Sequence, residues 1–568
     1  PVSAIKVGAL VAATPAGLTL IAADASASSD TADSEQSKSS SNGSGVDASA
    51  AVTQVFGLVS MGFAAADIKN VLTGKDSATQ KAGEFGAGLV VLGDGDNQLS
   101  MWGDANAAIL GSGDNKVIVN GTGTLVMAGG GDNRFEMNTA ASLVIAKGGD
   151  DYLKEVGAFN QAYLGDGNNH AELVGMANLV DTGAGTDVVN LYGIANMATT
   201  GKGDDRVSAY GAANVVDTGT GNDRVNAYGM AQIVNTGEGD DKVNIAGFGG
   251  SVTTGTGNDS VNTYGSAMLV DTGSGQDTVR AVGSATLINT GDDADKVTAY
   301  GVGMQIYTGT GDDVISAIGA GMRIFAGSGN DQINVTGALA AIDGGEGNDS
   351  ITAVGAGIKA FGGAGSDTMK VSGAEVSMTG GAGSDTYIYQ LGTGMATVYA
   401  ADAGNGKDTL QLQLNSDAGA KSWDNIFVHV DITNAGQGAD LYFLDKSSGM
   451  TLGLLSLADG RSATSDLTSI QMLDSNGQVT KSFSGTELGK LMTADMGELT
   501  KEVVDLTASK IDSMSNVLSG ALNQGLQAIQ ADNLSAGVAT PPFTVASEAD
   551  LSALAASQAV ASGSSGSA

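Results

Sequence analysis

Apolar and polar positions alternate along this chain in short bursts that recur every 18 residues. One burst, Thr218 to Asn235, reads T-G-T-G-N-D-R-V-N-A-Y-G-M-A-Q-I-V-N. Val225 and Ala227 fall on one side of an alternating run, Asn226 and Tyr228 on the other. That predicts a short strand after the glycine loop, with one face inward. A second short strand leads toward the next loop and ends on a branched apolar residue: Val180, Val216, Val234, Val252, Val270, Ile288, Ile306, Ile324 and Ile342. Thr182, Thr200, Thr218, Thr236, Thr254, Thr272, Thr290 and Thr308 form a further column just ahead of the loop.

The loop itself, Gly-x-Gly-x-Asp/Asn, starts at Gly93, Gly111, Gly129, Lys147, Gly165, Gly183, Gly201, Gly219, Gly237, Gly255, Gly273, Gly291, Gly309, Gly327, Gly345, Gly363 and Gly381. These 17 copies contain no insertion or deletion. An unbroken period means each repeat stacks on the next as one unit, so the pattern predicts an all-β core wound as a parallel β-solenoid. With coils about 4.8 Å apart, the stack would be a rod roughly 80 Å long.

The flanks read differently. Residues 1–46 are an N-terminal segment ending in a Ser-rich linker. Within it Lys6 precedes an apolar run from Val7 to Ala23, and Ala25-Ser26-Ala27 resembles a cleavage site, the layout of a secretory signal, although Pro15 interrupts the run. Residues 47–87 carry Val52, Phe56, Val59, Ile68, Val71 and Leu72 at helical spacing and predict a helical cap over the open end of the solenoid. The solenoid spans 88–390. Residues 391–490 read as short strands forming a small β cap. Residues 491–568 read as flanking α-helix, with Leu499, Val503, Leu506, Ile511, Met514, Leu518 and Leu522 at spacings of three to five residues until Pro541-Pro542.

Composition narrows the function classes. Glycine is 87 of 568 residues, about twice the usual share. Lys and Arg number 26 against 62 Asp and Glu, a formal net charge of −36. Such a surface repels phosphate backbones, which argues against nucleic acid, and attracts cations. No run of about 20 apolar residues suggests membrane insertion. There is no cysteine, which excludes disulfides and thiol catalysis.

The loop places a carboxylate at the same height in successive coils: Asp151, Asp187, Asp205, Asp223, Asp241, Asp259, Asp277, Asp295, Asp313, Asp331, Asp349, Asp367 and Asp385. Neighbours about 5 Å apart repel by roughly 1 kcal/mol per pair even in water, and by more when partly buried. A hard divalent cation between loops removes that repulsion, and Ca²⁺ suits a mixture of carboxylate and backbone carbonyl oxygens. All 13 are therefore candidate metal ligands. A turn solenoid without metal is the alternative. It is the stronger competitor in the early loops, where Asn97, Asn115, Asn133 and Asn169 replace the carboxylate. Adjacent Asp96, Asp114 and Asp132 are expected to substitute there in part.

Gly362-Gly363-Ala364-Gly365-Ser366-Asp367-Thr368-Met369-Lys370 and the segment Gly380 to Ile388 resemble the haemolysin-type calcium-binding nonapeptide of the RTX family. The resemblance covers most of the chain. It implies a right-handed parallel β-roll, Ca²⁺-driven folding, and type I export through an uncleaved C-terminal signal to the extracellular space or cell surface of a Gram-negative bacterium. Only one half of each 18-residue coil carries the motif, so one row of ions is expected rather than two.

Catalytic motifs are missing. His170 and His429 are the only histidines, and neither H-E-x-x-H nor G-x-S-x-G occurs. Ice binding is not expected, because the residue between the loop glycines is irregular: Ala184, Lys202, Thr220, Glu238. Two outward columns remain, a tyrosine stripe (Tyr192, Tyr210, Tyr228, Tyr264, Tyr300) and an apolar ridge (Leu179, Met197, Val215, Ile233, Leu269, Leu287). They read as ordinary strand-formers or as a contact surface. The expected function is a non-enzymatic, calcium-stabilised surface protein. It would self-assemble as a homo-oligomer or polymer in an S-layer, filament or matrix, or act as an adhesin with a cell-surface polysaccharide as candidate partner. The alternative is an RTX toxin or a polysaccharide- or lipid-acting enzyme with its activity in a terminal region.

Overall fold

A computed structural model describes residues 70–74, 79–82, 88–104, 106–400, 406–415, 422–433, 438–458 and 467–484. The described residues fall into two compact units divided between Thr220 and Gly221. Both are parallel β-solenoids, as the period requires.

In the first unit each long strand pairs in parallel with its equivalent 18 residues away. His170–Met176 lies between Tyr152–Ala158 and Val188–Ile194, and the short strand Leu179–Asp181 between Gln161–Tyr163 and Met197–Thr199. Alternation decides the faces. Val189, Leu191 and Val207 are sealed inside, while Tyr192 and Tyr210 face out and stack with ring centroids 5.3 Å apart. One expectation is corrected here. Asn70–Gly74 and Thr79–Ala82, within the segment read as helical, are strands that pair in parallel with Gly88–Leu92 and Gln98–Met101. Val71 and Leu72 fit either period in so short an apolar run, and an adjacent strand edge in register decides for β. The rest of the predicted cap, 47–69, and the helices of 491–568 lie outside the described residues.

The second unit repeats the plan, with Val234, Val252, Val270, Ile288, Ile306, Ile324 and Ile342 as one inward column. The 18-residue period ends after Asp385, but parallel pairing does not. Thr386–Gln390 pairs with Asp408–Gln413, which pairs with Leu467–Leu473. Met395–Tyr399 likewise pairs with Thr451–Ala458. The connection after Asp408–Gln413 holds an antiparallel hairpin, Ile426–Thr433 with Gly438–Asp445, and Val479–Ser484 folds back antiparallel on Leu467–Leu473. Among the described residues no helix is long and apolar enough to cross a membrane.

The bend opposite the glycine loop explains a second set of glycines. A Cβ on Gly265 would lie 1.8 Å from the carbonyl oxygen of Gly247 in the coil below, so no side chain fits. Two residues on, the chain turns through the left-handed region at Ala177, Ala195, Ala213, Ala231, Ala267 and Ala285, with φ between 52° and 58°. Gly303, Gly321 and Gly357 fill that position elsewhere without the steric cost. Ala267→Gly should therefore stabilise the fold by about 1 kcal/mol, and Gly265→Ala should destabilise it by more. Thermal denaturation of the two variants checks both signs.

Candidate metal centre

The inner wall of the glycine loop carries one side chain per coil, and its chemistry changes along the chain. In the first unit the column runs Asn97, Asn115, Asn133, Asp151, Asn169, Asp187, Asp205. In the second it runs Asp223, Asp241, Asp259, Asp277, Asp295, Asp313, Asp331, Asp349, Asp367, Asp385, Asp408. Each is at most 2 % exposed. The backbone N–H of each second-unit member donates to Oδ1 of the next at 2.8 or 2.9 Å, as from Asp313 to Asp331 and from Asp331 to Asp349. Asp151 accepts from the Asn133 backbone at 2.8 Å, and Asp187 donates to Asp205 at 2.8 Å. All 13 sequence-predicted aspartates are thus brought into these columns.

Sequence reasoning missed Asp408. Gly404-Asn405-Gly406-Lys407-Asp408 repeats the loop motif, displaced by a five-residue insertion that breaks the period. The Asp385 N–H donates to Asp408 Oδ1 at 2.9 Å, extending the column. There it stops: buried Leu467 takes the next register position, and the Tyr387 hydroxyl reaches toward Asp408 Oδ2 at 3.4 Å.

The asparagine coils reveal what surrounds the column. Asn169 Nδ2 donates to the carbonyls of Gly165 at 2.9 Å, Gly167 at 3.1 Å and Thr182 at 2.8 Å. Asn115 Nδ2 donates to Gly111 at 3.2 Å, Gly113 at 2.8 Å and Asn133 Oδ1 at 2.8 Å. A donor group therefore sits in a nest of acceptor oxygens. In the aspartate coils the same position carries only acceptors. Oδ2 of Asp331, Asp349 and Asp367 is buried with no donor among the described residues. In coils with a threonine five residues earlier, Thr182 donates to Asp187 Oδ2 at 2.6 Å. Thr254, Thr272, Thr290 and Thr308 also reach the carbonyl of the next coil, at 3.2, 3.2, 3.3 and 2.9 Å, and so divide their one hydroxyl proton between that carbonyl and Asp259, Asp277, Asp295 and Asp313. Where glycine replaces threonine, the carboxylate moves against the backbone: a Cβ on Gly344 or Gly362 would lie 2.3 Å from Asp349 or Asp367 Oδ2.

Buried acceptors facing acceptors demand a proton or a cation. Burial raises these carboxyls, to about 7 at Asp241, Asp295, Asp331 and Asp367 and to about 6 at Asp151, Asp187 and Asp277. Flanking carboxylates add to the rise, Asp349 and Asp313 at Asp331 for example. Among the described residues no three His, Asp or Glu side chains converge. A bound ion would therefore take one or two carboxylates and complete its shell with loop carbonyls, the all-oxygen set a hard divalent cation prefers.

Other expectations are corrected. Asp96, Asp114 and Asp132 do not share the buried column. They point outward, and Asp96 and Asp114 each accept a backbone N–H from the next coil. The opposite bend carries an unforeseen amide ladder, with the backbone of Asn160, Asn178 and Asn196 donating to Oδ1 of Asn178, Asn196 and Asn214 at 3.1–3.2 Å. Glu155 occupies an inward position between Met137 and Leu173, bonded to Ser142 and Thr139, and burial raises its carboxyl to about 7. Its place in the alternation marks it as inward, a signal available in the sequence.

No family model matches the chain, and no curated protein matches it. Among solved structures it is similar to a hyperactive, Ca²⁺-dependent, β-helical antifreeze protein from an Antarctic bacterium. The match has 18 % identity and a TM-score of 0.25, and covers 74 % of this chain and 96 % of that one. At that agreement it carries no argument about this chain, whose fold rests on the strand pairing described above.

Two predictions follow from the column. Without metal the folded carboxyls keep their protons up to pH 6 or 7, whereas an unfolded chain releases them near the ordinary 3.8. The fold thus binds more protons, and this stability is fully present below about pH 4 and lost as pH rises through 6 to 7. Circular dichroism in excess chelator should show β structure near pH 4 and its loss near neutrality. Asp331→Asn should supply the missing donor, lowering metal uptake while raising the chelated protein's thermal midpoint. Asp331→Ala should lower both. Calorimetry in chelator and in metal separates the two variants.

Proposed function

We propose that this is a secreted, non-enzymatic structural protein of the bacterial surface, held rigid by Ca²⁺ and assembling with copies of itself. The single observation that carries the calcium reading is the buried row of carboxylates whose free oxygens face carbonyls and carry no donor, as at Asp331, Asp349 and Asp367. Protons neutralise the row fully only below the pH range of about 6 to 7 in which its carboxyls titrate. At neutral pH a divalent cation does so, and because the unfolded chain has no such site, the binding energy becomes folding energy. A calcium-poor cytoplasm and a calcium-rich exterior would then keep the chain loose before export and rigid after it. That fits type I secretion from a Gram-negative cell.

Self-association is supported by apolar columns on the outside of the second unit. Ile233, Leu269 and Leu287 are 51 %, 43 % and 36 % exposed. Leu269 and Leu287 are neighbours in register, Ser251 stands between Ile233 and Leu269, and a monomer gains nothing by exposing these side chains. With 36 excess negative charges, assembly needs counter-ions to screen or bridge the copies, which Ca²⁺ provides. The alternative, a toxin or enzyme with its activity in a terminal region, places that activity outside most of the described residues.

Sedimentation in millimolar Ca²⁺ tests the assembly claim. The unmodified chain should form large species that chelator disperses. A triple variant, Ile233→Lys, Leu269→Lys and Leu287→Lys, should keep its β spectrum in Ca²⁺ yet remain monomeric. A monomeric unmodified chain, or unchanged assembly of the variant, would contradict self-association.

A further inference from the structure

On one face of the second unit a two-coil rhythm is laid over the one-coil repeat. The strands Gln305–Thr310, Arg323–Ser328, Ala341–Glu346, Lys359–Ala364, Val376–Ala382 and Met395–Tyr399 align Tyr307, Phe325, Asp343, Phe361, Thr379 and Tyr399 in one column. After Tyr307 and Phe325, which stack at 5.0 Å, aromatic and polar residues alternate. Phe325, Phe361 and Tyr399 stand on every second coil, with Asp343 and Thr379 between them. Two residues earlier in each strand, Arg323 and Lys359 also stand on alternate coils, separated by Ala341. The aromatic side chains are about two-fifths exposed, and neither cation has an ion-pair partner among the described residues.

We propose that this face binds an extended, β-linked anionic polysaccharide with one carboxylate per disaccharide. Alternate coils lie about 9.6 Å apart, twice the strand spacing. That is close to the length of one disaccharide in such a chain. Exposed aromatic rings in line offer flat apolar platforms for the C–H faces of successive sugars. Asp343 and Thr379 sit between platforms, where hydroxyls would fall. Two of the platforms, Phe325 and Phe361, carry a cation two residues earlier, Arg323 and Lys359, as a partner for a carboxylate, while Thr397 holds that position beside Tyr399.

Charge selects the ligand further. In a chain of net charge −36, a densely sulfated polymer is repelled by the whole molecule. A sparsely charged one is repelled little and meets Arg323 and Lys359 locally. A second copy of this face would instead set those cations against their own counterparts. The inference needs only the strand register and stands whether or not the loops hold metal.

Calorimetry of the full chain in Ca²⁺-containing buffer tests it, with a hyaluronan octasaccharide as the anionic probe and cellohexaose as the neutral one. The octasaccharide should bind, more weakly as salt rises, and more tightly than cellohexaose. Phe361→Ala, at an exposed position, should weaken both sugars by about tenfold. Arg323→Gln with Lys359→Gln should bring the octasaccharide down to the level of cellohexaose and leave cellohexaose unchanged. Circular dichroism confirms that the variants fold. No binding of either sugar at millimolar concentration, or binding indifferent to all three substitutions, overturns the proposal. Dissociation of an oligomer by Phe361→Ala without loss of sugar binding would assign the face to a second copy of the chain.

Discussion

Everything in this fold is organised by one constraint: a carboxylate buried at the same height in coil after coil. The period of 18 residues places the groups in register, and the backbone locks them there through an N–H to Oδ1 bond in each step. One oxygen of each group is thereby satisfied. The other is pressed against carbonyl oxygens, and in the coils of Asp331, Asp349 and Asp367 no donor reaches it among the described residues. Such a stack is stable only when a proton or a cation joins it. Fold and ligand chemistry are therefore a single problem in this molecule.

The two chemistries of the column show how the chain solves it. An amide at Asn97, Asn115, Asn133 or Asn169 carries its own donor and closes the loop without help. A carboxylate in the same place leaves the loop conditional on the medium. The first unit is rich in the former, and the second contains only the latter up to Asp408. A gradient of dependence on solution conditions is thus written in single-atom exchanges, nitrogen for oxygen, at one position of the repeat.

Much of this was legible in the sequence. Strict alternation identified Val225 and Ala227 as inward, and the fixed spacing placed the aspartates in one row. What escaped had definite causes. Val71 and Leu72 lie in a run too short for periodicity to distinguish strand from helix. Asp408 keeps its motif but loses its phase to an insertion. Asp96, Asp114 and Asp132 sit beside the column in sequence yet face outward, because adjacent residues of extended backbone point opposite ways. The ladder from Asn160 to Asn214 has no loop motif to announce it. It depends on the bend opposite, where glycine and left-handed alanine bring successive coils close.

The central claim, that cations complete the carboxylate row, is most directly tested by crystallising the protein with Ca²⁺ at neutral pH and collecting anomalous diffraction. The account predicts a single file of anomalous peaks beside Asp241 to Asp385, spaced about 4.8 Å apart like the coils, and none beside Asn97 and Asn115. Carboxylates in an ordered column without peaks, paired through shared protons, would contradict it.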